Sequence, residues 1–281
     1  MIDHTPTSAL LERFLDDITP LAPLVSVWAH GSLASGDYQP TRSDLDLIAV
    51  LRRPCTSEEE RHLTEMHERL GADVPLSAKL HCSYAAVTEL DDPERPHLTW
   101  AHEEIMHRPI TPVTRRELHG FGLVLYGEPP ASALPPVTDE ELTGFIVRDL
   151  REFWRPLLDR PELWLRDIWV DAALLTLARA AVTLRDGRLV TKREALAVLR
   201  EMRAPARVVD DIERRRYSPP GSPGSPTPGA RNTPGTVDAP DDRAGERWLA
   251  ARASLTLGFL TSEIDAITAR HPVPPVPDPR L

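Results

Sequence analysis

The sequence predicts an α/β domain with a small mixed β-sheet, followed by a C-terminal α-helical bundle domain. Its 281 residues are enough for about two domains. The first part of the chain alternates short apolar runs with amphipathic patterns in the order helix, strand, strand, helix, strand. A cluster of prolines within residues 129–136 then separates this part from a remainder whose patterns are helical.

In the N-terminal part, apolar runs predict three strands and local caps predict three helices. The segment 90–112 is rich in His and Pro and is expected to be a connector. The predicted strands are residues 24–29, 45–51 and 79–87, Thr5-Pro6 caps the first helix, and capping boxes at 57–60 and 114–117 open the other two.

The C-terminal part predicts helices with one interruption. Capping boxes at 138–141 and 191–194 open two of them. Residues 218–242 are dominated by Pro, Gly, Ser and Thr, a composition that predicts a disordered insert. We therefore expect an α/β domain at 1–130 and a helical domain at 137–271.

Composition excludes several classes of protein. The formal net charge of -10 argues against a nucleic-acid binder and favours a cationic partner. The two cysteines, Cys55 and Cys82, are too few for a disulfide framework, so a reducing cytoplasm is expected. No apolar run reaches bilayer length, and the N-terminus lacks the pattern of a secretion signal. We expect a cytoplasmic monomer that does not bind membranes.

One stretch carries most of the functional information. An apolar run ends in Gly31-Ser32, and a second apolar run begins after two acids one residue apart, Asp44 and Asp46. Residues two apart on a strand share a face, so these carboxylates should project together. Such a pair favours a hard divalent cation such as Mg2+ between them. The Gly-Ser turn offers a backbone N–H and a hydroxyl, groups that suit a phosphate.

The order strand, Gly-Ser, polar loop, Asp-x-Asp, strand resembles the signature of the DNA polymerase β-type nucleotidyltransferase superfamily. The matching residues are Gly31, Ser32, Asp44 and Asp46. The resemblance implies that Gly31 and Ser32 bind the triphosphate of ATP, with Asp44 and Asp46 holding Mg2+. Arg42 and Ser43 would also contact the triphosphate.

The helical half resembles the aminoglycoside 3''-adenylyltransferases, which modify streptomycin and spectinomycin. The resemblance lies in residues 173–179, a Leu-Thr-Leu-Ala-Arg helix, and in the turn and helix at 186–195. It implies transfer of an adenylyl group from ATP to a drug hydroxyl, with release of pyrophosphate. It also implies a cationic small-molecule acceptor held in an acidic cleft, with Trp100, Asp167 and Asp171 as its contacts.

The match departs from the family at the general base. The family uses a Glu on the next strand, and our alignment places Lys79 there, with His81 two residues later on the same face. His81 would then replace the base. Alternatively, Lys79 contacts phosphate while the acceptor or a metal-bound group handles the proton. A third possibility is nucleotide binding without efficient turnover.

Two further functions stay open at this point. One keeps the chemistry but transfers the nucleotide to another metabolite or to a protein side chain. The other is a catalytically degenerate nucleotide-binding module with a regulatory role.

Overall fold

The structure is a computed structural model that describes residues 4–219 and 243–271 of the chain. The chain divides into two compact units, Met1–Thr138 and Asp139–Leu281. All strands of the described residues lie in the first unit, and the second unit is helical. This confirms the predicted fold class. Most of the insert predicted at 218–242, from position 220 onward, lies outside the described residues.

The first unit is built on a six-stranded mixed sheet in the order β5-β4-β3-β2-β1-β6. Only β2 and β3 pair in parallel, and the other neighbours are antiparallel. The three strands predicted from apolar runs are therefore the centre of the sheet. The strands are β1 Leu24–Ala29, β2 Leu45–Leu51, β3 Leu80–Ala86, β4 Pro96–Ala101, β5 Glu104–Pro109 and β6 Leu123–Tyr126.

The prediction of a connector at 90–112 is wrong over residues 96–109, which form the hairpin β4–β5. Its two-residue turn, His102 and Glu103, has positive φ at both positions, +57° and +63°. Such a turn matches the twist of the flanking strands. Its usual sequence signal is Asn-Gly or Asp-Gly, which is absent here. Pro96 and Pro109 mark the two ends of the hairpin, where a missing N–H is tolerated.

Helices cover the sheet in the first unit and make up the second. Within the described ranges we find no helix of the length and apolarity that crossing a bilayer requires. The helices are α1 Thr5–Ile18, α2 Gly31–Ala34, α3 Ser57–Asp73, α4 Pro112–Phe121, α5 Asp139–Arg148, α6 Arg155–Leu157, α7 Asp167–Asp186, α8 Lys192–Glu201, α9 Ala206–Tyr217 and α10 Arg243–Arg270, with a π-helical stretch at Asp149–Trp154.

Three of the predicted helix caps are displaced. His4, not Thr5, caps α1 and accepts the N–H of Thr7. The capping box of α3 begins at Thr56, one residue before the predicted box. The first residue of α4 is Pro112, and its cap is Thr111, three residues before the predicted box. A Thr-Pro pair is itself a start signal, because proline is favoured in the first helical turn.

The two faces of the sheet have different neighbours. Leu45, Leu47 and Ala49 of β2 lie in one buried cluster with the core residues of α1 and α3. Ile48 and Val50 lie in a second cluster, which includes Leu118 of α4. We call these the α1/α3 face and the α4 face. Because side chains alternate along a strand, the even-numbered residues of β2, including Asp46, belong to the α4 face.

His67 of α3 makes stability depend on pH. It is 3% exposed, its Nε2 lies 2.6 Å from the Tyr84 hydroxyl, and burial lowers its pKa to about 3. Below about pH 6.5 the unfolded chain binds a proton at His67 that the folded protein does not bind. We therefore expect its contribution to the free energy of unfolding to be complete above pH 6.5 and to fall, by up to about 1.4 kcal/mol per pH unit, toward pH 3.

Denaturant unfolding at a series of pH values checks this expectation. His67→Gln, which does not titrate, should show a shallower loss of stability with acid than the wild-type protein. Identical pH profiles for the two proteins would contradict it.

Candidate active site

Asp44 and Asp46 stand at the start of β2, where the sequence places them. Asp44 immediately precedes the strand and Asp46 is its second residue. Their side chains are 38% and 34% exposed, so both carboxylates reach solvent. This exposure lets two like charges lie two residues apart without a large desolvation penalty.

The Gly31-Ser32 bend lies directly beside Asp46. The His30 N–H donates to the carbonyl of Asp46 at 3.0 Å, which ties the end of β1 to β2. Gly31 then adopts a left-handed φ of +63°, and a Cβ there would lie 2.7 Å from Asp46 Oδ2. Only glycine combines this conformation with so close an approach. The bend and one acid of the predicted pair therefore form a single site.

His81 faces the same site from β3. It is the Cα partner of Asp46 in the parallel β2–β3 ladder, and its Nδ1 lies 3.6 Å from Asp46 Oδ1. Its Nε2 is buried and has no hydrogen-bond partner among the described residues. The His102 ring packs edge-on against it, with centroids 4.6 Å apart. Burial lowers the pKa of His102, and the neighbouring His81 lowers it further.

Lys79 pairs with the other acid. It ends a short 3-10 helix before β3, and its Nζ lies 3.3 Å from Asp44 Oδ1. In the register of the β2–β3 pairing, His81 and not Lys79 lies opposite Asp46. Lys79 contributes a positive charge that partly balances Asp44.

A pocket of about 230 Å³ opens beside Asp46 and His81 on the α4 face. Its other polar lining residues include four hydroxyl side chains, contributed by β3, β4 and the start of α4. Ser83 and Thr99 bind each other at 2.9 Å, and Thr111 and Thr114 bind each other at 3.2 Å; all four line the pocket. Such a lining offers donors and acceptors to a polar ligand beside the acid and the imidazole.

Glu117 and His30 also lie at this site, and the sequence patterns do not predict them. Glu117, on α4, is 5% exposed, and its Oε2 lies 3.3 Å from Gly31 N and 3.2 Å from His30 Nδ1. The pattern at 114–117 predicts a capping box that includes Glu117. The Thr111-Pro112 pair is an earlier helix start signal. A helix predicted from it begins at Pro112, and Glu117 then lies beyond its N-terminal cap.

The loop residues near the acids have local roles. Ser43 is 2% exposed, and its hydroxyl accepts the Gln39 N–H at 3.0 Å. The Arg42 N–H donates to the Gln39 carbonyl at 3.1 Å. Both bonds shape the turn before β2, and the contact of Arg42 and Ser43 with the triphosphate stays a prediction.

Trp100 is not brought together with the acids. On β4 it pairs with Cys82, which lies on the α1/α3 face. Trp100 is 6% exposed, and its ring stacks on that of His67 of α3 with centroids 4.7 Å apart. The structure therefore gives Trp100 a packing role on the face opposite Asp46, which corrects its predicted place against the ligand.

In the helical unit, Asp167 and Asp171 belong to a network with two arginines. Arg252 of α10 is 1% exposed and binds Asp167, and it lies 3.3 Å from Asp211 of α9. Arg215 of α9 binds Asp171 and Asp211. Burial raises the pKa of Asp171, against the opposing charge of Arg215. Asp171 is thus largely enclosed, whereas the Asp167 side chain is 56% exposed.

The acid pair fits Mg2+ only together with a ligand. Among the described residues, no group of three or more His, Cys, Asp or Glu side chains could hold a metal ion. Mg2+ commonly takes one or two carboxylates plus substrate phosphates, and keeps waters in its remaining positions. Asp44 and Asp46 are partly exposed carboxylates, and Asp46 lies beside the bend, so the two residues could supply the protein's share of that set.

Comparisons with known proteins find similarity in the sequence around the bend and in the fold. Residues 11–92, which span β1, the bend, the acid pair and β3, match the nucleotidyltransferase domain family. A comparison with curated proteins finds no match. The fold is similar to that of spectinomycin adenyltransferase AAD(9) from Enterococcus faecialis, solved with ATP and spectinomycin. The TM-score is 0.66 at 14% identity, over 92% of this chain and 99% of that one.

Proposed function

We propose that this nucleotidyltransferase moves the adenylyl group of ATP to a hydroxyl of an aminoglycoside-like small molecule and releases pyrophosphate. The observation that carries the proposal is the contact of the Gly31 bend with Asp46, opposite His81. The corresponding biological role is antibiotic resistance. The need for ATP favours the cytoplasm as the place of reaction.

Each residue of the site has a proposed task. Asp44 and Asp46 would hold Mg2+, which when bound neutralises charge on the phosphate oxygens. Ser32 and the bend would contact the triphosphate, and Lys79 would add a positive charge near it. His81 would accept the proton of the attacking hydroxyl from its place in the pocket beside Asp46. The hydroxyl-lined pocket provides polar contacts beside these groups.

The helical unit provides a weaker argument for a cationic acceptor. Asp167 keeps an exposed carboxylate and is our proposed contact for amino or guanidino groups. Asp171 is enclosed by Arg215, so a cation would have to displace that arginine. The arginines in this network favour the alternative acceptor, a different metabolite without a high positive charge.

The second alternative, a degenerate nucleotide-binding module, is favoured by one contact. Lys79 occupies one side of Asp44 and leaves fewer carboxylate oxygens for a metal. Pyrophosphate release is measured with labelled ATP, Mg2+ and a panel of acceptors that includes spectinomycin and streptomycin. The result distinguishes the proposed function from its two alternatives. Transfer to a drug supports the proposal, transfer only to another compound supports a different acceptor, and nucleotide binding without transfer supports the module.

His81→Ala tests the proposed base. Loss of a general base typically lowers turnover about 10²–10⁴-fold, so we expect a fall of that size in kcat. Affinity for ATP should change little, because the imidazole acts on the acceptor. His107→Ala, on exposed β5, is the matched control and should keep wild-type turnover. Unaltered kcat in His81→Ala would assign proton removal to another group.

A further inference from the structure

Glu117 holds an unusual position for a carboxylate. Its side chain is 7% exposed, and it lies beside the bend where we place the negatively charged triphosphate. A buried carboxylate is costly unless it is hydrogen-bonded, and a second negative charge nearby should weaken phosphate binding. A residue that only filled space between α4 and β1 would need no charge. The contacts of Glu117 therefore call for a specific role.

Two contacts of Glu117 act on consecutive residues. Its Oε2 accepts the Gly31 N–H at 3.3 Å and lies 3.2 Å from His30 Nδ1. The first contact fixes the plane of the peptide that enters the bend. The second makes Nδ1 the donor of the His30 ring, which leaves Nε2 as the acceptor in the neutral imidazole. His30 also lines the pocket that contains Asp46 and His81.

The backbone at Gly31 tolerates little change in its conformation. Gly31 adopts φ of +63°, and the position of its absent Cβ is 2.7 Å from Asp46 Oδ2. Rotation of the Gly31 peptide would change the separation between the bend and Asp46. Among the described residues, the Gly31 N–H contact comes from α4, an element outside the residues 11–92 that match the domain family.

We propose that Glu117 is a positioning residue of the nucleotide site, and the proposal rests on the function proposed above. By fixing the Gly31 peptide and the His30 ring, it holds the bend at the distance from Asp46 that triphosphate binding requires. It acts through these two residues and has no contact of its own with the nucleotide.

Calorimetric titration of Glu117 variants with α,β-methylene-ATP and Mg2+ tests this role. Glu117→Gln keeps an oxygen that can accept the Gly31 N–H, so its affinity should stay within about threefold of wild type. Glu117→Ala removes the acceptor and should lower the affinity at least about tenfold. Glu117→Asp shortens the side chain by one methylene and moves the oxygen away from Gly31. Its affinity should resemble that of Glu117→Ala, and it replaces that variant in the test if Glu117→Ala does not fold.

Two controls distinguish positioning from a general loss of structure. Gly120→Ala changes the same helix at an exposed site with no atom within 4 Å of the new Cβ, and should bind like wild type. Adenosine, which lacks phosphates, should bind all variants equally. An equal loss of adenosine and nucleotide affinity, or a folded Glu117→Ala with wild-type nucleotide affinity, would overturn the role of Glu117. Wild-type protein that binds no nucleotide would overturn the proposed function itself.

Discussion

Asp46→Asn is expected to lower the rate of pyrophosphate release at least about 100-fold at saturating ATP, Mg2+ and acceptor. The substitution keeps the volume of the side chain but removes the charge that faces the Gly31 bend and His81. Because Asp46 is one third exposed, its charge contributes little to folding, and the melting temperature should change by only a few degrees. The loss should therefore appear in turnover and not in stability.

A surface carboxylate provides the control for this substitution. Asp73 at the end of α3 is exposed and pairs with Arg13 at 3.1 Å. Asp73→Asn should keep wild-type turnover, because it removes a similar charge from a residue that does not line the pocket beside the bend. A rate within tenfold of wild type for Asp46→Asn would mean that this carboxylate is not essential to the reaction.

Arg252→Met is expected to destabilise the protein by about 3 kcal/mol, as removal of one member of a buried ion-pair network usually does. Arg252 is 1% exposed, and it binds Asp167, Asp211 and the Leu165 carbonyl. Without it, the buried Asp211 loses one of its cationic partners and the carbonyl of Leu165 loses its donor. Methionine fills part of the volume but cannot donate a hydrogen bond.

Chemical denaturation of the two proteins measures this difference. Asp265→Ala, also on α10, removes the partner of Arg155 in an exposed pair and should cost no more than about 1 kcal/mol. A loss below 1 kcal/mol for Arg252→Met would mean that the network contributes little to the stability of the helical unit.

The centre of the sheet and the acid pair could be predicted because their signals are local. Apolar runs mark β1, β2 and β3. The two-residue spacing of Asp44 and Asp46 predicts that both side chains lie on one face of a strand. Gly31 lies against Asp46, whereas the shared face of Asp44 and Asp46 stays a prediction from their spacing.

The remaining features depend on contacts between distant parts of the chain. Glu117 reaches Gly31 from 86 positions away, and no spacing in the sequence indicates it. The face that Trp100 occupies follows from the register of the β4–β3 pairing, which its own sequence does not specify. The arginine partners of Asp167 come from α9 and α10, so the acids alone suggested an open anionic site.

The central claim is that Asp44 and Asp46 hold a divalent ion against a nucleotide at the Gly31 bend. Calorimetry of α,β-methylene-ATP binding, with Mg2+ and then with EDTA, tests it most directly in wild type and in the double variant Asp44→Asn, Asp46→Asn. We expect Mg2+ to raise the affinity of wild type at least about tenfold and to leave the double variant unaffected. An equal gain from Mg2+ in both proteins would contradict the claim.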